Sequence, residues 1–154
     1  MDIRSIAMVP SWAVVFFPML IEAHNRATGS RATTVREVWP NLEVYFSGAV
    51  ALSSYEELMR RQIGAEDMVF IENYGASEGV VSFQDHPDDD DMLIHLDNGV
   101  FFEFVRADDS SDSPQRLSIA EVEPDVRYSV HVSSCSGLWS YGIGDVVRFT
   151  STDP

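Results

Sequence analysis

The chain has 154 residues, the size of one ordinary domain, and its 45% hydrophobic and 23% charged residues are typical of a globular protein rather than a disordered one. Its net charge is −15, from 25 acidic residues against 10 basic ones, and every basic residue is arginine. Such a surface repels phosphate backbones, which disfavours nucleic acid and anionic membranes as partners. The single cysteine, Cys135, cannot form an internal disulfide and favours a reducing, cytoplasmic location.

Helix and strand patterns alternate in the first half of the chain. Residues 12–27 predict a helix that is bent, or begins late, at Pro18. Short apolar runs predict three buried segments, at residues 3–9 (strand or loop), 42–46 and 68–71. Strand, helix and strand in this order indicate a parallel α/β layer.

Two capping boxes predict where short helices begin. Thr34 with Glu37 opens a helix that stops before Pro40, and Ser54 with Glu57 opens another. The second of these helices has a predicted apolar face at Tyr55, Leu58, Met59 and Ile63.

The second half of the chain has a different pattern, with no convincing helix after residue 98. It contains four strand-like runs, at residues 100–105, 117–122, 128–132 and 146–150. The predicted fold is therefore α/β: a parallel α/β sheet portion over residues 1–97, followed by a small β-rich subdomain over residues 98–154, either an antiparallel sheet or a barrel. The acidic stretches 88–91 and 108–112 are interpreted as solvated loops.

The first segment whose residues are suited to ligand binding is Tyr74-Gly75-Ala76-Ser77-Glu78-Gly79. It directly follows the predicted strand at residues 68–71. A loop at the carboxyl end of a parallel strand is where open α/β sheets bind ligands. Tyr74 offers a face for stacking a base, and Glu78 offers an oxygen ligand suited to magnesium on phosphates. Taken alone, the segment also fits an ordinary turn from strand to helix.

The second such segment runs from Ser136 to Phe149, where three glycines precede Asp145 at the predicted start of a strand. A carboxylate fixed on a turn can accept both hydroxyls of a ribose. A hairpin turn with an exposed aspartate explains the same residues equally well.

Together and in this order, the two segments resemble those of acyl-adenylate-forming enzymes, which carry a Tyr-Gly-x-Ser/Thr-Glu loop and later a Tyr-x-x-Gly-Asp turn. The similarity is closer to the Gretchen Hagen (auxin-responsive) family of acyl-acid-amido synthetases. It extends over nearly the whole chain, in stretches at residues 9–12, 38–42, 74–79, 101–104, 121–123 and 137–139.

The resemblance implies a ligase reaction in which ATP and Mg²⁺ convert a carboxylic acid to an acyl adenylate, and an amino acid amine then accepts the acyl group. It places Tyr74 against adenine, Ser77 near the adenylate phosphate or acyl group, and the ribose hydroxyls on Asp145. Glu78 would hold the magnesium ion. Together, the implied residues of the ATP or AMP site are Tyr74, Gly75, Ala76, Ser77, Glu78, Tyr141 and Asp145. No residue is assigned a catalytic role.

The sequence departs from the family in three respects. It has no Ser/Thr/Gly-rich phosphate loop before Tyr74, and no lysine that could serve a catalytic lid. Ser140 and Gly142 flank Tyr141 where the family usually has arginine. We therefore expect an internal fragment of a synthetase that is inactive alone, and that self-associates or pairs with a complementary chain.

The sequence is also compatible with two other functions. The chain could be a non-catalytic module that keeps the fold, and with it a nucleotide-binding or assembly role. It could also be a plain acidic interaction domain in which the motif matches arise by chance.

Overall fold

A computed structural model describes residues 2–152 of the chain. The chain divides into two compact units: Met1–Tyr74 with Phe83–Met92, and Gly75–Ser82 with Leu93–Pro154. Among the described residues, no helix is both long enough and apolar enough to cross a bilayer.

The first unit contains three parallel strands and the helices that connect them. The helices are α1 (Pro10–Thr28), α2 (Val35–Val38) and α3 (Glu56–Ile63), and the parallel strands are β1 (Ser5–Ala7), β2 (Val44–Ser47) and β3 (Val69–Ala76). β2 lies between β1 and β3, with Ile6 opposite Tyr45 and Tyr45 opposite Phe70. The predicted parallel α/β layer is confirmed.

The long helix α1 begins earlier than the sequence pattern predicted. Pro10 takes a position in the first turn, where its missing N–H costs nothing, so the helix begins before Trp12 and does not wait for Pro18. Pro18 lies inside the helix. The helix ends at Thr28 and is capped by Gly29, which adopts a left-handed conformation (φ 72°) and donates its N–H to the Asn25 carbonyl at 2.8 Å.

The Thr34–Glu37 capping box is confirmed at the start of α2. The Thr34 N–H donates to Glu37 Oε2 at 3.0 Å, and the Thr33 N–H donates to the same oxygen. These two backbone donors hold the pKa of the Glu37 carboxyl below its ordinary value.

The predicted Ser54–Glu57 capping box is wrong, because Ser54 belongs to a separate 3-10 turn, Leu52–Ser54. The Leu52 N–H donates to Glu72 Oε1 of β3 at 2.7 Å, and this long-range bond fixes the turn. α3 therefore begins after Tyr55, without a side-chain cap. Its buried face also differs from the prediction, since Leu58 is exposed.

The core of the first unit lies on one side of the parallel sheet, where α1 and α3 pack. Tyr45 stands at its centre, with its ring centroid 6.4 Å from that of Phe17 and 5.7 Å from that of Phe70. Its hydroxyl donates to the Met8 carbonyl, and burial raises the pKa of Tyr45 to about 12.

The opposite side of the same three strands is apolar except for Ser5, and it is only partly covered. Side chains alternate along a strand, so the neighbours of the buried Tyr45 and Phe70 point away from the helices. Register aligns them in two rows across the sheet, Ser5–Val44–Val69 and Ala7–Phe46–Ile71. Phe46, in the middle of the second row, is 40% exposed.

The second unit is β-rich, as predicted, and has an antiparallel sheet. The remaining strands are β4 (Gly79–Phe83), β5 (Leu93–Ile94), β6 (Val100–Arg106), β7 (Arg127–Ser134) and β8 (Tyr141–Arg148). The strand order is β1-β2-β3-β4-β5 in one sheet and β6-β7-β8 in the other. The inward face of β6 and β7 is the core of this unit, formed by Phe102, Phe104, Tyr128, Val130 and Val132.

The predicted strand at residues 117–122 is wrong. Leu117 pairs only with Phe104, through two backbone hydrogen bonds of 2.8 Å. Ser118 then caps a 3-10 turn, Ile119–Glu121, and donates its N–H to Glu121 Oε2 at 2.8 Å. The Ser118–Glu121 bond competes with strand pairing and turns the chain away from β6.

The two adjacent residues Leu58 and Met59 provide a matched test of this packing. Met59 is fully buried and Leu58 is 41% exposed. We expect Met59→Ala to lower the free energy of unfolding by about 2–5 kcal/mol, through lost contacts and a residual cavity. Leu58→Ala should cost less than about 1 kcal/mol. Urea unfolding of both variants checks this, and equal losses would contradict the burial of α3 described above.

Candidate nucleotide site

The first sequence motif forms a hairpin rather than the predicted loop. β3 continues through Tyr74 and Gly75 to Ala76, Ser77 and Glu78 form the turn, and β4 begins at Gly79. The strand is longer than its apolar run because backbone pairing does not require apolar side chains. The alternative of a strand-to-helix turn is excluded as well, because a strand follows.

Of the two glycines of this hairpin, Gly79 sits where space is limited and Gly75 does not. A Cβ on Gly79 would lie 3.1 Å from Val100 Cγ2, and one on Gly75 would lie 3.9 Å from the Gly79 carbonyl oxygen. Gly79 therefore allows the start of β4 to approach β6 closely. In the turn, Ser77 is exposed and Glu78 is half-buried. Tyr74 is half-buried at the end of the first unit, and Gly75–Ser82 belong to the second.

The second motif begins with a tight connection between β7 and β8. The Gly137 N–H donates to the Ser134 carbonyl at 3.1 Å, and the Ser134 N–H donates to the Leu138 carbonyl at 3.0 Å. Gly137 has φ 106°, which suits glycine, and Ser140 has φ 46°, which is unusual for a serine. Between them, Trp139 is 84% exposed.

Asp145 lies within β8, not at the start of a strand as predicted. Ser129 of β7 pairs with Val146, whereas His131 pairs with Gly142, so β8 has two more residues than β7 between these pairs. Asp145 is exposed in the resulting bulge, next to Gly144 with φ 90°. Bulges redirect side chains and are common beside active sites. The strand predicted at residues 146–150 begins earlier, at Tyr141, because glycines 142 and 144 are compatible with an irregular strand.

Glu78 could contribute one ligand to a magnesium ion but does not form a metal site by itself. Among residues 2–152, no group of three or more His, Cys, Asp or Glu side chains could hold a metal ion. Mg²⁺ often takes one or two protein carboxylates and completes its shell with phosphates and water. Glu78 therefore fits an ion that arrives with a nucleotide, and does not fit a resident metal centre.

The structure also contains a cavity of about 480 Å³ in the first unit, which the motifs did not predict. It lies between α3 and β3, and its single cation, Arg60, already bonds to Glu56 at 2.8 Å and lies 4.5 Å from the Phe70 ring. Its carboxylates are Glu56, Glu66, Asp67, Glu72, Asp88 and Asp90. This cavity repels phosphate, so it is distinct in chemistry from a nucleotide site. The acidic run at residues 88–91 was its only signal in the sequence.

The sequence of the second unit matches a known domain. Residues 93–154 match the GH3 family central domain. Two similar relatives are a probable indole-3-acetic acid-amido synthetase, GH3.9, from Oryza sativa subsp. japonica (27% identical over 127 residues, 79% of this chain and 28% of that protein) and the jasmonoyl–L-amino acid synthetase JAR4 from Nicotiana attenuata (28% over 120 residues, 74% and 21%). The indole-3-acetic acid-amido synthetase GH3.8 from Oryza sativa subsp. indica is 30% identical over 132 residues, 79% of this chain and 21% of that protein.

The fold matches solved structures of the same class. One is an acyl acid amido synthetase, AtGH3.15, in complex with 2,4-DB, with a TM-score of 0.64, 24% identity and coverage of 86% of this chain and 23% of that one. A second GH3.15 structure gives a TM-score of 0.62 at 22% identity, over 76% of this chain and 21% of that one.

These similarities define the class of protein as one with the α/β fold of acyl acid amido synthetases. The chain is similar to members of the GH3, or Gretchen Hagen, family, which confirms the resemblance seen in its sequence. It spans about a quarter of the length of the curated relatives that it matches.

Proposed function

We propose that this chain forms part of the nucleotide site of an ATP-dependent acyl acid amido synthetase. The observation that carries the proposal is the match of residues 93–154 to the GH3 central domain, because that segment includes the bulge with Asp145. The relatives are synthetases that join an acid to an amino acid. In the reaction proposed here, a carboxylate attacks the α-phosphorus of MgATP and displaces pyrophosphate to form an acyl adenylate, and an amine then displaces AMP.

The roles proposed for individual residues follow the two motifs. Tyr74 lies against adenine, Asp145 accepts the ribose hydroxyls, and Ser77 faces the phosphate or acyl group. Glu78 contributes an oxygen to magnesium bound on the phosphates. Gly75, Ala76 and Tyr141 supply the neighbouring backbone and ring surface. A carboxylate that accepts two hydroxyls is a favourable partner for ribose because hydrogen bonds to charged groups are stronger than neutral ones.

We propose that this chain alone binds the adenosine moiety but does not catalyse adenylation. Transfer of the adenylyl group from ATP depends on cations that offset charge developing on the phosphates. The chain has no lysine, and at least seven of its ten arginines form ion pairs with its own carboxylates. These arginines are Arg4, Arg26, Arg36, Arg60, Arg61, Arg106 and Arg148. The cations needed for adenylation would come from segments with no counterpart in this chain.

Calorimetric titration with AMP and Mg²⁺ tests the nucleotide proposal. We expect the parent chain to bind AMP. Asp145→Asn should raise the dissociation constant at least about tenfold, because the variant loses the charged carboxylate that accepts the ribose hydroxyls. The matched control is Asp112→Asn, an exposed aspartate in another loop of the same unit. Failure of the parent to bind, or equal affinities of both variants, would contradict the proposed role of Asp145.

We infer a second role in assembly, through the uncovered face of β1, β2 and β3. Parallel sheets are normally covered on both faces, and here helices cover only one. The face contains no charged side chain, although the chain carries a net charge of −15. It is therefore a surface where two copies can meet with little repulsion, and we propose that a second copy covers it in a two-fold pair.

Light scattering tests this pairing. We expect a mass of twice 17.2 kDa for the parent chain. Phe46→Thr should shift the equilibrium to the monomer, because it removes the largest side chain from the face. Phe101→Thr, at an exposed phenylalanine of the second unit, should leave the mass unchanged. A parent chain that stays monomeric at high concentration would contradict self-association. The face would then be covered by a complementary chain.

We also infer a cytoplasmic location. Cys135 is exposed as a free thiol, and free thiols persist in reducing compartments.

A further inference from the structure

The segment that leads into β8 has an unusual conformation at Ser140. This serine has φ 46°, in the left-handed region that favours glycine. A non-glycine residue stays there only when its surroundings hold it. Ser140 directly precedes Tyr141, and β8 continues from Tyr141 to the bulge that contains Asp145.

Two side chains of β7 contact this segment. The Ser140 N–H donates to Ser133 Oγ at 2.7 Å, and the Ser140 carbonyl oxygen lies 3.4 Å from His131 Nδ1. Ser133 and His131 are two residues apart on one strand, so their side chains lie on the same face of the sheet. The shorter contact, from Ser133, is the better-formed hydrogen bond.

The His131 ring also leaves little room for a side chain at residue 142. A Cβ on Gly142 would lie 3.0 Å from His131 Cε1 and 3.2 Å from Nδ1. The imidazole therefore lies against the β8 backbone just after Tyr141. As a result, Tyr141 is flanked on one side by a serine bonded to β7 and on the other by a glycine packed under a β7 side chain.

We propose that Ser133 is a positioning residue for the nucleotide site. Its hydroxyl holds Ser140 in the left-handed conformation, and this sets the direction in which Tyr141 and the rest of β8, including Asp145, leave the turn. The inference rests on the proposed nucleotide site, but the hydrogen bond itself can be tested without any nucleotide. Ser133 acts through Ser140 and does not touch the ligand.

The test compares the parent with Ser133→Ala, Ser133→Thr and the double variant Ser133→Ala with Ser140→Gly. Ser133→Ala removes the acceptor, and we expect AMP affinity to fall about tenfold. Ser133→Thr keeps the hydroxyl and should retain affinity. Glycine adopts positive φ without help, so Ser140→Gly should restore most of the affinity lost in Ser133→Ala.

Amide hydrogen exchange of Ser140 provides the readout that is independent of nucleotide. We expect the Ser140 amide to exchange at least about tenfold faster in Ser133→Ala than in the parent or in Ser133→Thr. If the parent binds no AMP, the proposed function fails, and this exchange pattern still decides whether Ser133 holds the turn. An unchanged Ser140 exchange rate in Ser133→Ala would overturn the proposal.

Two further outcomes would also overturn it. One is a lower urea midpoint for Ser133→Ala with unchanged affinity of the folded protein, which would mean a purely structural role. The other is a loss of affinity that Ser140→Gly does not restore, which would mean that Ser133 contacts the nucleotide directly.

Discussion

The parallel pairing of β2 with both β1 and β3 is the constraint on which the first unit depends. It places Tyr45 between Ile6 and Phe70, so that one buried tyrosine joins the strands to the helix layer. Because the pairing is parallel, the connections between these strands must cross over the sheet, and α1 and α3 do so on the side of Tyr45. The same pairing leaves the Phe46 side of the sheet apolar and without a helix, which is the basis for the proposed pairing of two copies.

Each of the two motifs lies on a strand that a neighbouring strand holds in place. Tyr74–Glu78 lies at the end of a strand whose earlier residues are fixed by the parallel sheet, and Asp145 lies in a bulge of a strand fixed by β7. In both places, glycine allows close approach or an irregular backbone, at Gly79 against Val100 and at Gly142 under His131. Side chains on such anchored turns are held in position by regular structure, which lowers the entropy lost when a ligand binds.

The sequence predicted those features that depend on local pattern, and missed those that depend on distant partners. The Thr34–Glu37 capping box was found because all of its groups lie within four residues. The Ser54–Glu57 pair has the same spacing, but Glu72, 20 residues away from Leu52, fixes a 3-10 turn in its place. In the candidate site, residue types could be matched to a family, whereas the hairpin after Ala76 and the bulge at Asp145 depend on pairing with other strands. The acidic cavity is formed by residues from Leu52 to Asp90, and no local motif describes it.

Amide NMR of the ¹⁵N-labelled chain decides whether the hairpin and the bulge bind the same nucleotide, as proposed. On titration with AMP and Mg²⁺, we expect concerted shifts of amides in two segments, residues 75–78 and 141–145, with a single dissociation constant. Shifts in only one of these segments, or shifts confined to the acidic cavity around Arg60, would contradict the proposal.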